Sequence, residues 1–234
     1  MRLDDPAVVR DEYEDESKLS ARKAAHESGE GPNAREVVFA AIAEQKPRRV
    51  VEVGPGEGEI AEWMRDELGC EVVAIDQSER MVELTRRRGL DARLGDAHEL
   101  PFEAGEFDFA LAAWMLYHLA DVDRALGELA RVLTPDGHLV AVTNSREHLR
   151  ELKELTGVEG FATTFDAEDA EALLSRHFAR VERREAFGWT TFPSRVEAQR
   201  FVDSTMIFAG QTLPPFDGPL RVRRTPVVFI AHKQ

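Results

Sequence analysis

Residues 49–58 read Arg-Val-Val-Glu-Val-Gly-Pro-Gly-Glu-Gly, and the fold turns on this stretch. Val50, Val51 and Val53 are β-branched and suit a short buried strand. Gly54, Gly56 and Gly58 alternate directly after it. Glycine permits a sharp turn and lets a ligand come close to the backbone. Residues 58–68 (GEIAEWMRDEL) place Ile60, Trp63, Met64 and Leu68 at helical spacing, so the turn is predicted to open a helix. Free N–H groups at that helix start would meet polar or anionic ligand atoms. The spacing is G-x-G-x-G, which differs from the G-x-G-x-x-G that cradles a dinucleotide pyrophosphate. No Lys-Ser or Lys-Thr follows, so it is not a phosphate-binding P-loop either.

Working outward, strand and helix patterns alternate. Residues 34–45 (AREVVFAAIAEQ) read as a helix ended by Lys46-Pro47. EVVAID (71–76) is a second strand, followed by a helix that Ser78 can cap and Gly89 can stop. DARLGD (91–96) is a third strand. EFDFALAAW (106–114) is apolar enough for a strand buried on both faces. A helix over 121–132, a turn at Pro135-Asp136-Gly137 and a fifth strand over 138–144 follow. Such alternation with short connections predicts βαβ units and a parallel sheet covered by helices. Beyond it, helices are expected over 146–155, 166–177 and 194–209. Strands are expected over 179–187 and 225–233, the last closing the sheet as an antiparallel edge.

Composition sets bounds on function. The 234 residues are 43% apolar and 32% charged, an ordinary balance for one large domain. The 30 Lys and Arg against 44 Asp and Glu leave a net charge of -14, which repels phosphate backbones, so no nucleic-acid partner is expected. The basic clusters Arg86–Arg88 and Arg221, Arg223 and Arg224 read as solvated faces. The longest apolar run, Phe109 to Tyr117, is about half of a membrane span, so no membrane partner is expected. The charged N-terminus has no apolar h-region of a secretory signal, and the single Cys70 permits no internal disulfide. Cytoplasmic localisation is the expectation.

Three carboxylates fall at predicted strand ends. Glu52 precedes the glycine turn, Asp76 ends the second strand and Asp96 ends the third. A carboxylate after the second strand can accept both hydroxyls of a ribose. Together the acids would share the carboxyl edge of the sheet beside the switch point between strands 1 and 4, where doubly wound folds bind ligands.

The chain resembles the class I S-adenosylmethionine-dependent methyltransferases, of the small-molecule type that includes the ubiquinone and menaquinone biosynthesis methyltransferases. Four segments carry the resemblance: the glycine stretch, VVAIDQSERMVEL (72–84), GDAHELPFEAGEFDFALAAWMLYHL (95–119) and LARVLTPDGHLVAV (129–142). It implies an α/β fold, a Rossmann-like, doubly wound, mostly parallel seven-stranded sheet with an antiparallel last strand, a helical N-terminal lid and small inserts. Residues 1–33 would be the lid or a tail, and 34–234 a single domain. Within it, 34–144 would form the cofactor-binding core and 145–234 the acceptor-side helices and closing strands.

The resemblance implies S-adenosyl-L-methionine as cofactor and S-adenosyl-L-homocysteine as product. Gly54, Gly56 and Gly58 would lie along the methionine portion and ribose, with Glu52 at the amino group. Asp76 would hold the ribose hydroxyls. Gln77 and Met81 would flank the adenine, Asp96 and the Ala97 backbone would receive its amino group, and Ala113 and Trp114 would lie near the sulfonium. His118 is the candidate general base, since histidine titrates near neutrality. Tyr117 would shape the acceptor pocket, and Tyr13 and Arg22 would belong to the lid. Aromatics in the inserted segments, Phe161, Phe165, Phe187, Trp189, Phe192, Phe201, Phe208 and Phe216, with Met206 and Ile207, suggest an apolar small-molecule acceptor. No metal is expected: Asp121, Asp123 and Asn144 could be assembled into a set, but at the wrong spacing. Cys70 reads as buried and inert. The competing readings are a non-catalytic S-adenosylmethionine-binding module and a nicotinamide-dependent oxidoreductase. The acceptor, the methylated atom and the oligomeric state are not legible.

Overall fold

The computed structural model describes residues 29–158 and 163–234. In chain order these form α1 (Ala34–Gln45), β1 (Arg49–Val53), α2 (Glu59–Leu68), β2 (Glu71–Asp76), α3 (Glu79–Arg87), β3 (Asp91–Leu94) and β4 (Phe107–Ala113). A 3₁₀ turn (Leu116–His118), α4 (Val122–Val132), β5 (Leu133–Asn144), α5 (Arg150–Thr156), α6 (Ala170–Leu174), β6 (Arg180–Glu185) and β7 (Gly188–Phe192) come next. The chain ends with α7 (Arg195–Asp203), a second 3₁₀ turn (Met206–Phe208), β8 (Leu220–Arg224) and β9 (Pro226–His232).

Seven strands form one sheet in the order β3-β2-β1-β4-β5-β9-β6. β1 pairs in parallel with β2 and β4, while β9 runs antiparallel to both β5 and β6. The order reverses between β1 and β4, which opens a crevice at their carboxyl ends. One expectation needs correction: the antiparallel last strand is not an edge. β9 is buried along its whole length between β5 and β6, and β6, with alternating charge, is the solvated edge. An apolar PVVFIAH strand belongs inside, where both its faces are covered.

The strands alternate between two cores. Phe109 and Leu111 join Val50, Val140, Val142, Val228 and Ile230 beneath Val38 and Ile42 of α1 and Met64 of α2. Phe107, Ala110 and Ala112 face the other way, with Val51, Leu139 and Phe229, against Leu126 and Leu129 of α4. This period of two, apolar on both sides, is why the strand segments read as near-continuous hydrophobic runs.

The last third departs further from expectation. The helices are shorter than predicted: α5 and α6 cover only part of 146–155 and 166–177, and 194–209 breaks after Asp203 into a 3₁₀ turn. Pro135-Asp136-Gly137 is not a turn ahead of β5 but lies within it, at a register shift between Phe107 and Phe109. There the Gly137 carbonyl accepts from Lys233 N–H. A second, two-stranded antiparallel sheet, β7–β8, was not expected. Val222 and Phe192 from it pack with Leu149, Leu152, Phe201 and Phe208 into a small separate core over α5 and α7. Glu30 extends this sheet, exchanging backbone hydrogen bonds with Trp189.

The basic clusters are solvated only in part: Arg86, Arg87 and Arg221 are exposed, while Arg88 and Arg223 are half-buried and Arg224 is buried. Arg86 donates to the Ala92 carbonyl, and Arg88 ties the Glu57 carbonyl to Glu62. Arg221 and Arg223 bracket the Trp189 ring, 4.4 and 5.5 Å from its centroid. Arg224 is 2% exposed and donates to the carbonyls of Glu30 and Trp189. Guanidinium groups satisfy several carbonyls at once, which suits them to tying loops together.

Candidate functional site

At the carboxyl ends of β1, β2, β4 and β5 a cleft of about 990 Å³ opens. One half is built by the glycine turn. Gly54, Gly56 and Gly58 all adopt positive φ (69°, 57° and 78°), which side chains rarely tolerate. They serve different neighbours. Gly54 donates to the Ile75 carbonyl, and a Cβ there would strike Met115 at 2.8 Å. A Cβ on Gly56 would meet nothing within 4 Å. Gly58 begins α2 packed against Thr85 and is not among the residues that line the cleft.

Glu52 is 1% exposed yet lines the cleft. It accepts the Ala61 backbone N–H, and its Oε2 has no hydrogen-bond partner among the described residues. Burial pushes its carboxyl up to about 8; the Ala61 N–H works against this and the Asp76 charge adds to it. An orphaned buried carboxylate oxygen is costly, and a cationic ligand group would satisfy it. Asp76 is raised to about 6, chiefly by burial, against the backbone N–H groups of Ser78 (2.8 Å) and Gln77. Asp96 lies two residues past the end of β3, not within it, because β3 stops at Leu94. Partial burial works to raise Asp96, but the His98 N–H (2.8 Å) and ring (2.6 Å) outweigh it and hold the carboxyl below its usual value. Gln77, Met81, Ala97, Ala113 and Trp114 join these acids on the cleft wall.

Trp114 sits at φ 55°, a left-handed conformation costing roughly 1–2 kcal/mol for a bulky residue. The fold holds it by the Trp114 N–H to the Val142 carbonyl at 2.9 Å and by packing against the α1–α2 core. The strain re-aims the chain after β4, so that Tyr117 and His118 both line the cleft with their rings edge to face at 4.5 Å. Tyr13, Arg22 and Phe161 lie outside the described residues.

The other half of the cleft was mostly missed by sequence reasoning. Of the inserted apolar residues expected there, Phe201, Met206 and Ile207 line it. Phe165 and Phe208 are fully buried elsewhere, and Trp189 is covered by arginines. In their place stand His148, Lys153, Asp166 and Arg224. No local motif marks these four, since loops and strands far apart in the chain bring them together. His148 accepts the Thr225 N–H at Nδ1 (3.0 Å), which leaves its proton on Nε2. Asp121 caps α4 and Asp123 binds His177 and Arg176, so neither joins Asn144 at the cleft. Among the described residues no cluster of His, Cys, Asp and Glu is spaced to hold a metal. Cys70 is buried, and its thiol donates to the Pro47 carbonyl.

A strand, a glycine turn, and acids at the ends of β1 and β2 and just past β3 around one cleft agree with the comparison to known proteins. Residues 51–141 match the methyltransferase domain family. Over this stretch the chain is similar to class I S-adenosylmethionine-dependent methyltransferases. Among its relatives is a demethylmenaquinone methyltransferase of Thermus thermophilus, 39% identical over 106 residues, covering 42% of this chain and 48% of that protein. An uncharacterised methyltransferase of Mycobacterium tuberculosis is 34% identical over 151 residues, covering 62% and 59%. The chain thus spans about half to three fifths of the length of these curated relatives. A crystal structure of an S-adenosylmethionine-dependent methyltransferase from Thermotoga maritima shares the fold with a TM-score of 0.54 at 23% identity, covering 84% of this chain and 90% of that one. The [4+2]-cyclase SpnF matches with a TM-score of 0.61 at 19% identity, covering 93% and 91%. Among the described residues no helix is long and apolar enough to cross a membrane.

Proposed function

We propose that this protein methylates a small-molecule acceptor at the expense of S-adenosylmethionine. The observation that carries the reading is the buried Glu52 carboxylate, whose Oε2 is unsatisfied among the described residues and which borders an open-sided glycine. That arrangement suits the ammonium of an amino-acid moiety. The nicotinamide alternative offers no cation for Glu52 from its pyrophosphate and has the wrong glycine spacing.

Asp76 is positioned as acceptor for two ribose hydroxyls, and Met81 supplies an apolar wall for a base. Asp96, kept ionised by His98, serves as acceptor for an exocyclic amine. Bound S-adenosylmethionine supplies an electrophilic methyl together with its own leaving group. The chain's part is then alignment and exclusion of water, worth roughly 7–11 kcal/mol at best. Proton removal from the acceptor falls to His118, next to the strained Trp114 turn. His148 is unsuited, because Thr225 occupies its basic nitrogen. The demethylmenaquinone relative makes a hydroxylated or carbon acceptor chemically reasonable, while the cyclase neighbour is a reminder that chemistry resides in the site and not in the fold.

The test is calorimetry with S-adenosylmethionine and S-adenosylhomocysteine, with NAD as control and Asp76→Ala alongside. Micromolar binding of the adenosyl ligands, lost in the variant, is expected. Preference for NAD, or no binding of either adenosyl ligand, sinks the reading.

A further inference from the structure

The two halves of the cleft differ in their ionisable groups. Around the glycine turn stand the carboxyl groups of Glu52 and Asp76, together with Arg35 and Arg80. The far half presents Lys153, His148, Arg146 and Arg224, against the single carboxylate of Asp166 among its described lining residues.

The internal pairing occupies Arg146, which binds both Asp166 and Asp169, and leaves Lys153 with donors to spare. Both Asp166 oxygens are engaged: Oδ2 accepts from Arg146 Nε and Thr163 N–H, and Oδ1 accepts from the Thr163 hydroxyl at 2.8 Å. The other carboxylates whose fields reach Lys153 are also occupied. Glu147 pairs with Arg150 and Arg223, and Glu168 accepts the Arg146 N–H. Lys153 is half-buried and donates one hydrogen bond, to the Arg146 carbonyl at 3.0 Å. An ammonium has three donors, so two remain for the cleft. Burial lowers the Lys153 amine below its usual value, a cost that an anion brought beside it would offset. Arg224 is buried and also held low by burial, and His148 carries its proton on Nε2, so each brings donor character to the same wall.

Lys153 is also held firmly enough to select. α5, which carries it, starts at Leu149, buried and fixed by its N–H to the Arg223 carbonyl. Glu151 on the same helix accepts both the Arg223 backbone N–H and its Nε at 2.9 Å.

We propose that the methyl acceptor is a small carboxylic acid, whose carboxylate is received by Lys153 with His148 and Arg224 beside it, leaving the methyl-accepting atom toward His118 and Trp114. This inference rests on the methyltransferase reading and narrows its acceptor class. A carboxylate met by an ammonium forms a charge-assisted hydrogen bond, and a neutral amide of the same shape leaves that ammonium without a counter-charge, so discrimination between the two is the signature.

The experiment uses the full chain saturated with S-adenosylhomocysteine, whose own calorimetric binding reports separately on the cofactor reading. Hydroxybenzoates, indole carboxylates and short aliphatic hydroxy acids, each paired with its amide, are then titrated by saturation-transfer NMR. At least one acid is expected to bind about tenfold or more tightly than its amide. Lys153→Met should erase that preference and Lys153→Arg should keep most of it, with S-adenosylhomocysteine affinity unchanged in both. Amides binding as well as acids, no acid binding to a chain that does bind S-adenosylhomocysteine, or a preference that survives Lys153→Met would each overturn the proposal.

Discussion

Thr85, on α3, donates its hydroxyl to the Gly56 carbonyl at 3.2 Å. The same side chain fills the space a Cβ on Gly58 would need, with Cγ2 at 2.9 Å and Oγ1 at 3.0 Å. A fully buried threonine thus ties the glycine turn to the helix after β2. Thr85→Val keeps the shape and loses the hydrogen bond, so it should cost about 1 kcal/mol. Gly58→Ala adds a clash and a positive-φ penalty, and should cost more, about 2 kcal/mol or above. Urea unfolding of both variants checks the order, and equal losses would show that the turn is not clamped in this way.

Glu52 is expected to trade stability for binding. Its folded pKa of about 8 lies above the ordinary carboxylate value of 4.5. The native state therefore holds a proton that the unfolded chain has lost, and stability falls as pH rises between those values. The cost is absent below pH 4.5 and complete above about 8. Glu52→Gln removes it, and should stabilise the ligand-free protein by up to about 5 kcal/mol at pH 8.5 and much less at pH 5. The same variant should bind S-adenosylmethionine poorly. Thermal unfolding across this range, with no gain at high pH, would remove the argument.

Asp76 should make cofactor binding pH-dependent. Its carboxyl titrates near 6, and only the ionised form accepts from both ribose hydroxyls. Affinity should therefore be flat above pH 7 and about tenfold weaker at pH 5 than at pH 7.5. Asp76→Asn should bind weakly with little change over that interval. Calorimetry at three pH values decides it, and a wild-type affinity indifferent to pH contradicts the assigned role.

The cofactor half of the site was legible because it is local. Glu52, the glycines and Asp76 each sit at a strand end announced by the apolar pattern before it, and parallel pairing then brings the ends together. A finer point was not legible: Gly58 packs against Thr85, a contact 27 positions away. The acceptor half was not legible for the same reason in stronger form. Lys153 reaches the cleft from α5 and Arg224 from β8, joined through Arg223 and Glu151 across 72 residues. β7 was missed because its GWTTF, between charged segments, has no apolar alternation of its own and is stabilised by Arg221 and Arg223 over Trp189. Several arginines read as solvated also have structural partners, since arginine side chains satisfy backbone carbonyls that periodicity does not reveal.

His118 and His148 both line the cleft, and their roles should separate in kinetics. With Nδ1 occupied by the Thr225 N–H, His148 can donate but not abstract, so His148→Gln should weaken acceptor binding and raise KM with kcat little changed. His118, in the assigned base role, is needed only as the acceptor proton leaves. His118→Gln should therefore lower kcat by about 10²-fold for a hydroxyl acceptor, with S-adenosylhomocysteine affinity intact. Methyl transfer from labelled cofactor measures both parameters. A His118→Gln enzyme within twofold of wild-type kcat would reduce this histidine to a structural part of the 3₁₀ turn, and catalysis would then rest on alignment alone.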